Sequence, residues 1–180
     1  GDFYKLTVYR IAPWAVERTI DQGCDYRSVA FSPDGQLLAA GNFSNTLVVY
    51  NALTWEIVHT LDHQSEQSEL WSVAFSPTGS LLAAGGDANM LAVYDVLTWK
   101  VVRLLETGGA VAFSPDADLL VASNYHYDHT NTQVTVYKVG TWEVQRSLDH
   151  DGAVWCIAFS ARAEWLAAGD AARKLTIYGV

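Results

Sequence analysis

The sequence is poor in cysteine, in basic residues and in long apolar runs, and each shortage closes off a class of protein. Two cysteines in 180 residues make no disulfide framework. Cys24 falls in a loop-like stretch. Cys156 falls in an apolar strand, residues 154–159, where a small buried hydrophobe is expected, and a bridge between the two would require the ends of the chain to meet. Lysines and arginines number 11 against 20 aspartates and glutamates, are scattered, and leave a net charge of −9. Nucleic acid and anionic membrane surfaces are thereby excluded as partners, because both demand a basic stripe. Half the residues are apolar, yet they come in short runs such as Leu37–Ala40 and Leu81–Ala84, far below the roughly 20 residues that span a bilayer. No signal-peptide pattern is visible, and the cytoplasm is the favoured expectation. No Gly-x-Ser-x-Gly elbow, His-Glu-x-x-His, phosphate loop or dinucleotide fingerprint occurs. The expectation is a non-enzyme with no catalytic residue, no cofactor and no metal.

What the sequence does contain is repetition. Ala30-Phe31-Ser32-Pro33-Asp34-Gly35 returns as Ala74-Phe75-Ser76-Pro77-Thr78-Gly79, as Ala112-Phe113-Ser114-Pro115-Asp116-Ala117, and in worn form as Ala158-Phe159-Ser160-Ala161-Arg162-Ala163. The Phe-to-Phe spacings are 44, 38 and 46, a period at which one supersecondary unit repeats and must bury its apolar face against its neighbours. Within the unit the periodicity is that of strands. Leu47-Val48-Val49-Tyr50 recurs as Leu91-Ala92-Val93-Tyr94, Val134-Thr135-Val136-Tyr137 and Leu175-Thr176-Ile177-Tyr178, and Leu6-Thr7-Val8-Tyr9 opens the chain. Five residues after each of the first four of these tyrosines in chain order stands Trp14, Trp55, Trp99 or Trp142, a regularity expected of blade packing. Each unit therefore reads as four antiparallel strands: a, ending in Phe; b, Leu-Leu-Ala-Ala; c, ending in Tyr; and d, after Trp. The Ser-Pro-Asp-Gly link between a and b is turn chemistry.

In the Phe-Ser-Pro-Asp-Gly turn, the Leu-Leu-Ala-Ala-Gly strand and the aromatic strand c, nearly the whole chain resembles the WD-repeat β-propeller family. The resemblance implies an all-β fold, a β-propeller of four-stranded antiparallel blades, with residues 1–180 forming one domain. The repeats run 15–50, 56–94, 100–137 and 143–178, with an orphan strand at 5–9. The match departs from the family at its signatures. Trp-Asp becomes Tyr50-Asn51, Tyr94-Asp95, Tyr137-Lys138 and Tyr178-Gly179, and Gly-His survives as Asp62-His63 and Asp149-His150. The family's hydrogen-bonded Ser/Thr position is Ala40, Ala84, Ala122 or Ala168, and its turn Asp is Ala88 or Ala172 in two repeats. The expectation is that this network does not form and that apolar packing holds the blades together. The strand count is four a, four b, five c and four d, so one strand c is surplus. A fragment of a larger propeller or a ring completed by a partner chain is preferred to a closed four-blade monomer.

Loop lengths are unequal in an ordered way. Phe to the start of b is always 6 and Tyr to Trp always 5, whereas the acid ending d to Phe runs 10, 13, 7 and 10, and Phe to Tyr 19, 19, 24 and 19. All length variation sits in the d–a and b–c connections, which share one end of an antiparallel meander, and insertions confined to one face usually mark the binding face. The candidate partner-binding residues there are Glu66 and Glu69 in the long second d–a loop, Tyr125, His126, Tyr127, Asp128 and His129 in the third b–c loop, Asp151, and the pair Trp71 and Trp155. Aromatic anchors and adaptable polar residues suit protein contact, and the acids suit a basic partner. His126, Asp128 and His129 contain metal-ligand types but lie in one loop with no second pair, so a solvated loop is favoured. His150 stands where the family places a structural His. The expected function is a non-catalytic scaffold binding a protein or peptide through this face. The alternatives are a self-assembling half-propeller completed by a second chain, and a propeller hydrolase or metal-binding module.

Overall fold

The computed structural model describes residues 5–62, 69–86, 90–124 and 132–180. The alternating apolar pattern produces seventeen strands among them, in five antiparallel sheets. The first is a hairpin of β1 (Lys5–Ile11) and β2 (Trp14–Asp21). Three four-stranded meanders follow: β3 (Tyr26–Phe31), β4 (Leu37–Asn42), β5 (Thr46–Asn51) and β6 (Ile57–Asp62); β7 (Leu70–Phe75), β8 (Leu81–Gly86), β9 (Leu91–Asp95) and β10 (Val101–Leu105); β11 (Val111–Phe113), β12 (Leu119–Ser123), β13 (Gln133–Lys138) and β14 (Val144–Asp149). The last sheet holds three strands, β15 (Val154–Phe159), β16 (Trp165–Asp170) and β17 (Leu175–Gly179). The order is c-d, then a-b-c-d three times, then a-b-c, as the sequence pattern implies. The hairpin and the three-stranded sheet remain separate sheets, so among the described residues no strand pairing closes the ring. The fold is a partial β-propeller.

The turns carry the register. Gly35 donates its N–H to Ser32 O at 2.9 Å with φ of 70°, and Asp34 Oδ1 accepts from Ser32 Oγ at 2.5 Å and from Gln36 N at 3.0 Å. Ala117 and Ala163 hold φ of 62° and 56° in the turns where the first two repeats have glycine, a conformation in which a Cβ is strained. Trp55, Trp99 and Trp142 also lie at positive φ and donate their N–H groups to the carbonyl four residues earlier, which fixes the five-residue Tyr-to-Trp spacing.

Sheets stack face to face through alternate residues of the strands. Ala39, Leu47 and Val49 of one sheet pack on Val73, Leu82, Ala84 and Tyr94 of the next. Ala83, Leu91 and Val93 pack likewise on Val111, Phe113, Leu120 and Tyr137, and Val121, Val134 and Val136 on Leu166 and Ala168. Leu6, Val8 and Ile20 of the hairpin cover Leu38, Ala40, Val48 and Tyr50 in the same manner. Glycine sets the spacing most tightly at Gly85, where a Cβ would lie 2.7 Å from Gly109 O and 3.0 Å from Val111 Cγ1.

Packing is not purely apolar, which corrects the expectation drawn from the degenerate signatures. Val73 N–H donates to Ser28 Oγ and Val111 N–H to Ser72 Oγ, each at 3.1 Å, and Ser123 Oγ donates to Val154 O at 3.0 Å. Each of these bonds joins neighbouring sheets. In the last sheet one polar contact of that kind does form: His150 Nε2 lies 3.0 Å from Tyr178 Oη, while Nδ1 faces Asp170 Oδ2 at 3.6 Å without a hydrogen bond, both side chains being buried. Asp170 supplies the carboxylate from the end of β16, two residues before Ala172, and Tyr178 stands in for the family Trp. Two further expectations are overturned at the ends of the stack. Cys156 is exposed, because among the described residues no sheet covers its face, and both cysteines are free thiols. Trp14 is exposed, whereas Trp55, Trp99 and Trp142 pack between neighbouring sheets. Among the described residues no sheet packs on the face of the hairpin that carries Trp14.

Candidate functional site

Strands β3, β7, β11 and β15 are the innermost of their sheets and touch one another along the arc. The residue four before the terminal Phe therefore recurs at one level of the inner wall, and its occupants are Arg27, Trp71, Gly109 and Trp155. This level lies at the d–a and b–c end, as the pairing of Tyr26 with Asn42 and of Leu70 with Gly86 shows.

The four residues form a continuous surface. The Arg27 guanidinium carbon lies 5.6 Å from the Trp71 ring centre and 5.1 Å from that of Phe43, a stacked cation on two aromatic faces. Its Nη2 lies 3.7 Å from Asp25 Oδ2 and 4.0 Å from Glu69 Oε2. Trp71 and Trp155 meet edge to face with ring centres 6.2 Å apart, the arrangement the ring quadrupoles favour. They approach each other because Gly109, between them in the arc, has no side chain; its φ of 114° is one that glycine adopts freely. A cavity of 180 Å³ opens there, floored by Gly109 and Ala110 and walled by Trp71, Ser72, Trp155 and Cys156. Trp155 is half exposed and Trp71 less so.

Of the residues expected from the sequence, Trp71, Glu69 and Trp155 come together at this mouth. Asp151 is exposed and pairs with Lys174, whose hydrogen bond holds the carboxyl below the ordinary range. Glu66, Tyr125, His126, Tyr127, Asp128 and His129 lie outside the described residues. Among the described residues no group of three His, Cys, Asp or Glu side chains is placed to hold a metal ion. Sequence reasoning missed Arg27 and Gly109. The signal was present, since both stand four before their Phe as the two tryptophans do, but unlike residue types conceal a shared position.

An inner wall of like strands, one from each of four successive sheets, defines a propeller-type repeat domain. Residues 29–113 match the family model described as the anaphase-promoting complex subunit 4 WD40 domain, and residues 142–178 match that of the WD domain, G-beta repeat. The chain belongs to the WD-repeat family, whose domains generally act as non-catalytic protein-interaction scaffolds. Comparison with curated proteins gives no match.

Proposed function

We propose that this chain is a protein-interaction scaffold that takes a peptide segment of its partner at the inner mouth, between Trp71 and Trp155. The observation that carries the reading is the edge-to-face tryptophan pair over Gly109. Rigid aromatic rings flanking a small, partly apolar cavity are what an inserted side chain needs. Backbone amides and carbonyls of the inner strands would orient the main chain. Asp25 and Glu69 share one guanidinium, Asp62 and Asp149 are exposed at the same end, and the chain carries −9 overall. An apolar side chain flanked by basic residues is the complement. The loops at 63–68 and 125–131, with Glu66, Tyr125, His126, Tyr127, Asp128 and His129, would extend the contact outward, and Asp151 would border it.

The test is selection of displayed peptides on the chain, with affinities then measured on Trp71→Ala, Trp155→Ala and, as a control for adhesive surface tryptophan, Trp14→Ala. Selected peptides should carry one apolar residue among basic ones. They should lose roughly tenfold or more in affinity on either mouth variant and nothing on the control. Peptides that bind all three variants equally would place the site elsewhere.

A further inference from the structure

The surroundings of Arg27 are those of a cation in a cage. Its guanidinium lies over two rings, Phe43 at 5.1 Å and Trp71 at 5.6 Å, and faces the Asp25 and Glu69 carboxylates at 3.7 and 4.0 Å. Ring faces and carboxylates both attract positive charge, and here they converge on one point. Neither carboxylate is within hydrogen-bond range. Among the described residues the guanidinium donates no hydrogen bond, so Arg27 is held by stacking and charge alone.

The cage is built inside the stack, from two adjacent four-stranded sheets. Asp25 precedes β3 and Phe43 follows β4, while Glu69 precedes β7, which carries Trp71. Strands β3 and β7 touch, and the shared core of Ala39, Val49, Val73 and Leu82 fixes the two sheets to each other. The repeat itself does not demand these charges. Asp25 and Glu69 stand six before their Phe, where the third and last sheets have Thr107 and Ala153, both buried and uncharged. The Phe43 position is Ala171 in the last sheet, and the Arg27 position is never basic again. Residues that depart from a repeat without serving its packing are where contacts with other molecules are expected.

We propose that Asp25, Phe43, Glu69 and Trp71 form the seat for an arginine side chain of the partner, and that Arg27 is the chain's own occupant, displaced on binding. Such a seat rests on the reading of the mouth as a peptide site and places the basic residue of that peptide. Trp71 is common to both parts: its ring meets Trp155 at the apolar cavity and lies under Arg27 at the seat. A segment that inserts an apolar side chain between the tryptophans therefore passes beside the cage. Two carboxylates against one guanidinium leave negative charge in excess, which draws a second cation while Arg27 is still in place. Arginine fits better than lysine, because a flat guanidinium stacks on ring faces and can also fork to a carboxylate. Exchange is easy, since Arg27 gives up no hydrogen bond and like replaces like. The incoming group, not rooted in β3, is free to approach Asp25 and Glu69 at hydrogen-bond distance. An uncharged side chain has no means of displacing Arg27, so Arg27 makes positive charge a condition of entry.

Titration of the full chain with Nα-acetyl-arginine amide, followed by NMR at the Trp71 indole, tests this. The citrulline amide, alike in shape but uncharged, is the comparison. The Trp71 signal should move saturably with the arginine amide and stay still with the citrulline amide. Arg27→Ala should tighten arginine amide binding roughly tenfold, because the resident competitor is gone. Phe43→Leu keeps every charge and removes one ring. It should weaken binding several-fold in the wild type and cancel most of the gain when combined with Arg27→Ala. A gain that survives Phe43→Leu would reduce Arg27 to a long-range charge and overturn the proposal. Equal binding of the two amides, or an Arg27→Ala variant that binds no better than the wild type, would overturn it as well. Should the alanine variant fold poorly, Arg27→Gln keeps the stem and gives the same readout. The arginine amide carries no apolar side chain for the cavity, so its failure would leave the tryptophan-pair site to its own test with selected peptides.

Discussion

Leu91 and Leu175 hold the same place in strand c, as do Val93 and Ile177. Leu91 and Val93 are 0% exposed between the second and third four-stranded sheets, and Leu175 and Ile177 are 71% and 61% exposed on the last sheet. Sequence and local geometry are nearly the same at both sites, so burial in this fold is a property of having a neighbour. Stability of such a stack is approximately a sum of unit and interface terms. The interior should therefore answer to mutation far more strongly than the ends.

The largest expected difference comes from truncation. Leu91→Ala should lose about 2–5 kcal/mol in urea unfolding, whereas Leu175→Ala in the single chain should stay within about 0.5 kcal/mol. Equal losses would break the comparison. Glycine gives the next contrast. Gly85→Ala forces a Cβ onto the backbone of the neighbouring sheet, at 2.7 Å from Gly109 O, and should cost about 1–3 kcal/mol. At the equivalent Gly169 the added atom would meet only the exposed Cys156 Sγ, at 2.8 Å, a side chain with room to turn away. Gly169→Ala should fall well below Gly85→Ala on the same urea scale.

Hydrogen bonds between sheets should show a smaller contrast. Ser28→Ala leaves the Val73 amide without its Oγ acceptor and should cost about 0.5–1.5 kcal/mol. Cys156→Ala, at the same repeat position with no sheet beyond it, should be close to neutral in the single chain. The smallest effect is in acid. Asp34 and Asp116 are held below the ordinary carboxylate range, first by the hydroxyls of Ser32 and Ser114 and then by backbone amides. Their folded-state values are depressed, so the stabilisation is present above the unfolded carboxylate range and fades as pH falls through the folded one. The second repeat has Thr78 at this place, bonded to Ser76 and Ser80 hydroxyls. Replacing both aspartates with threonine should flatten the decline in melting temperature below about pH 4.

Much of the fold could be read from the chain because repetition writes it several times. The Phe, Tyr and Trp spacings locate the strands, and the surplus strand c appears as β1. What sets one end apart from the middle could not be read that way. Cys156 sits in an apolar strand and Trp14 in a conserved-looking spacing within the chain, yet both are exposed because neither has a covering sheet among the described residues. The site was half legible. Trp71 and Trp155 stand out as large aromatics, whereas Gly109 contributes by lacking a side chain and Arg27 by stacking on Trp71. The His150–Asp170–Tyr178 cluster was hidden because its carboxylate comes from two residues earlier than the family pattern places it.

Native-state hydrogen exchange on the full chain, resolved strand by strand, tests the central contrast most directly. The amides of β9 should exchange only through global opening, while those of β17 exchange orders of magnitude faster through local release. Protection of β17 equal to that of β9 would contradict the account, because the end of the stack would then be sealed as its interior is.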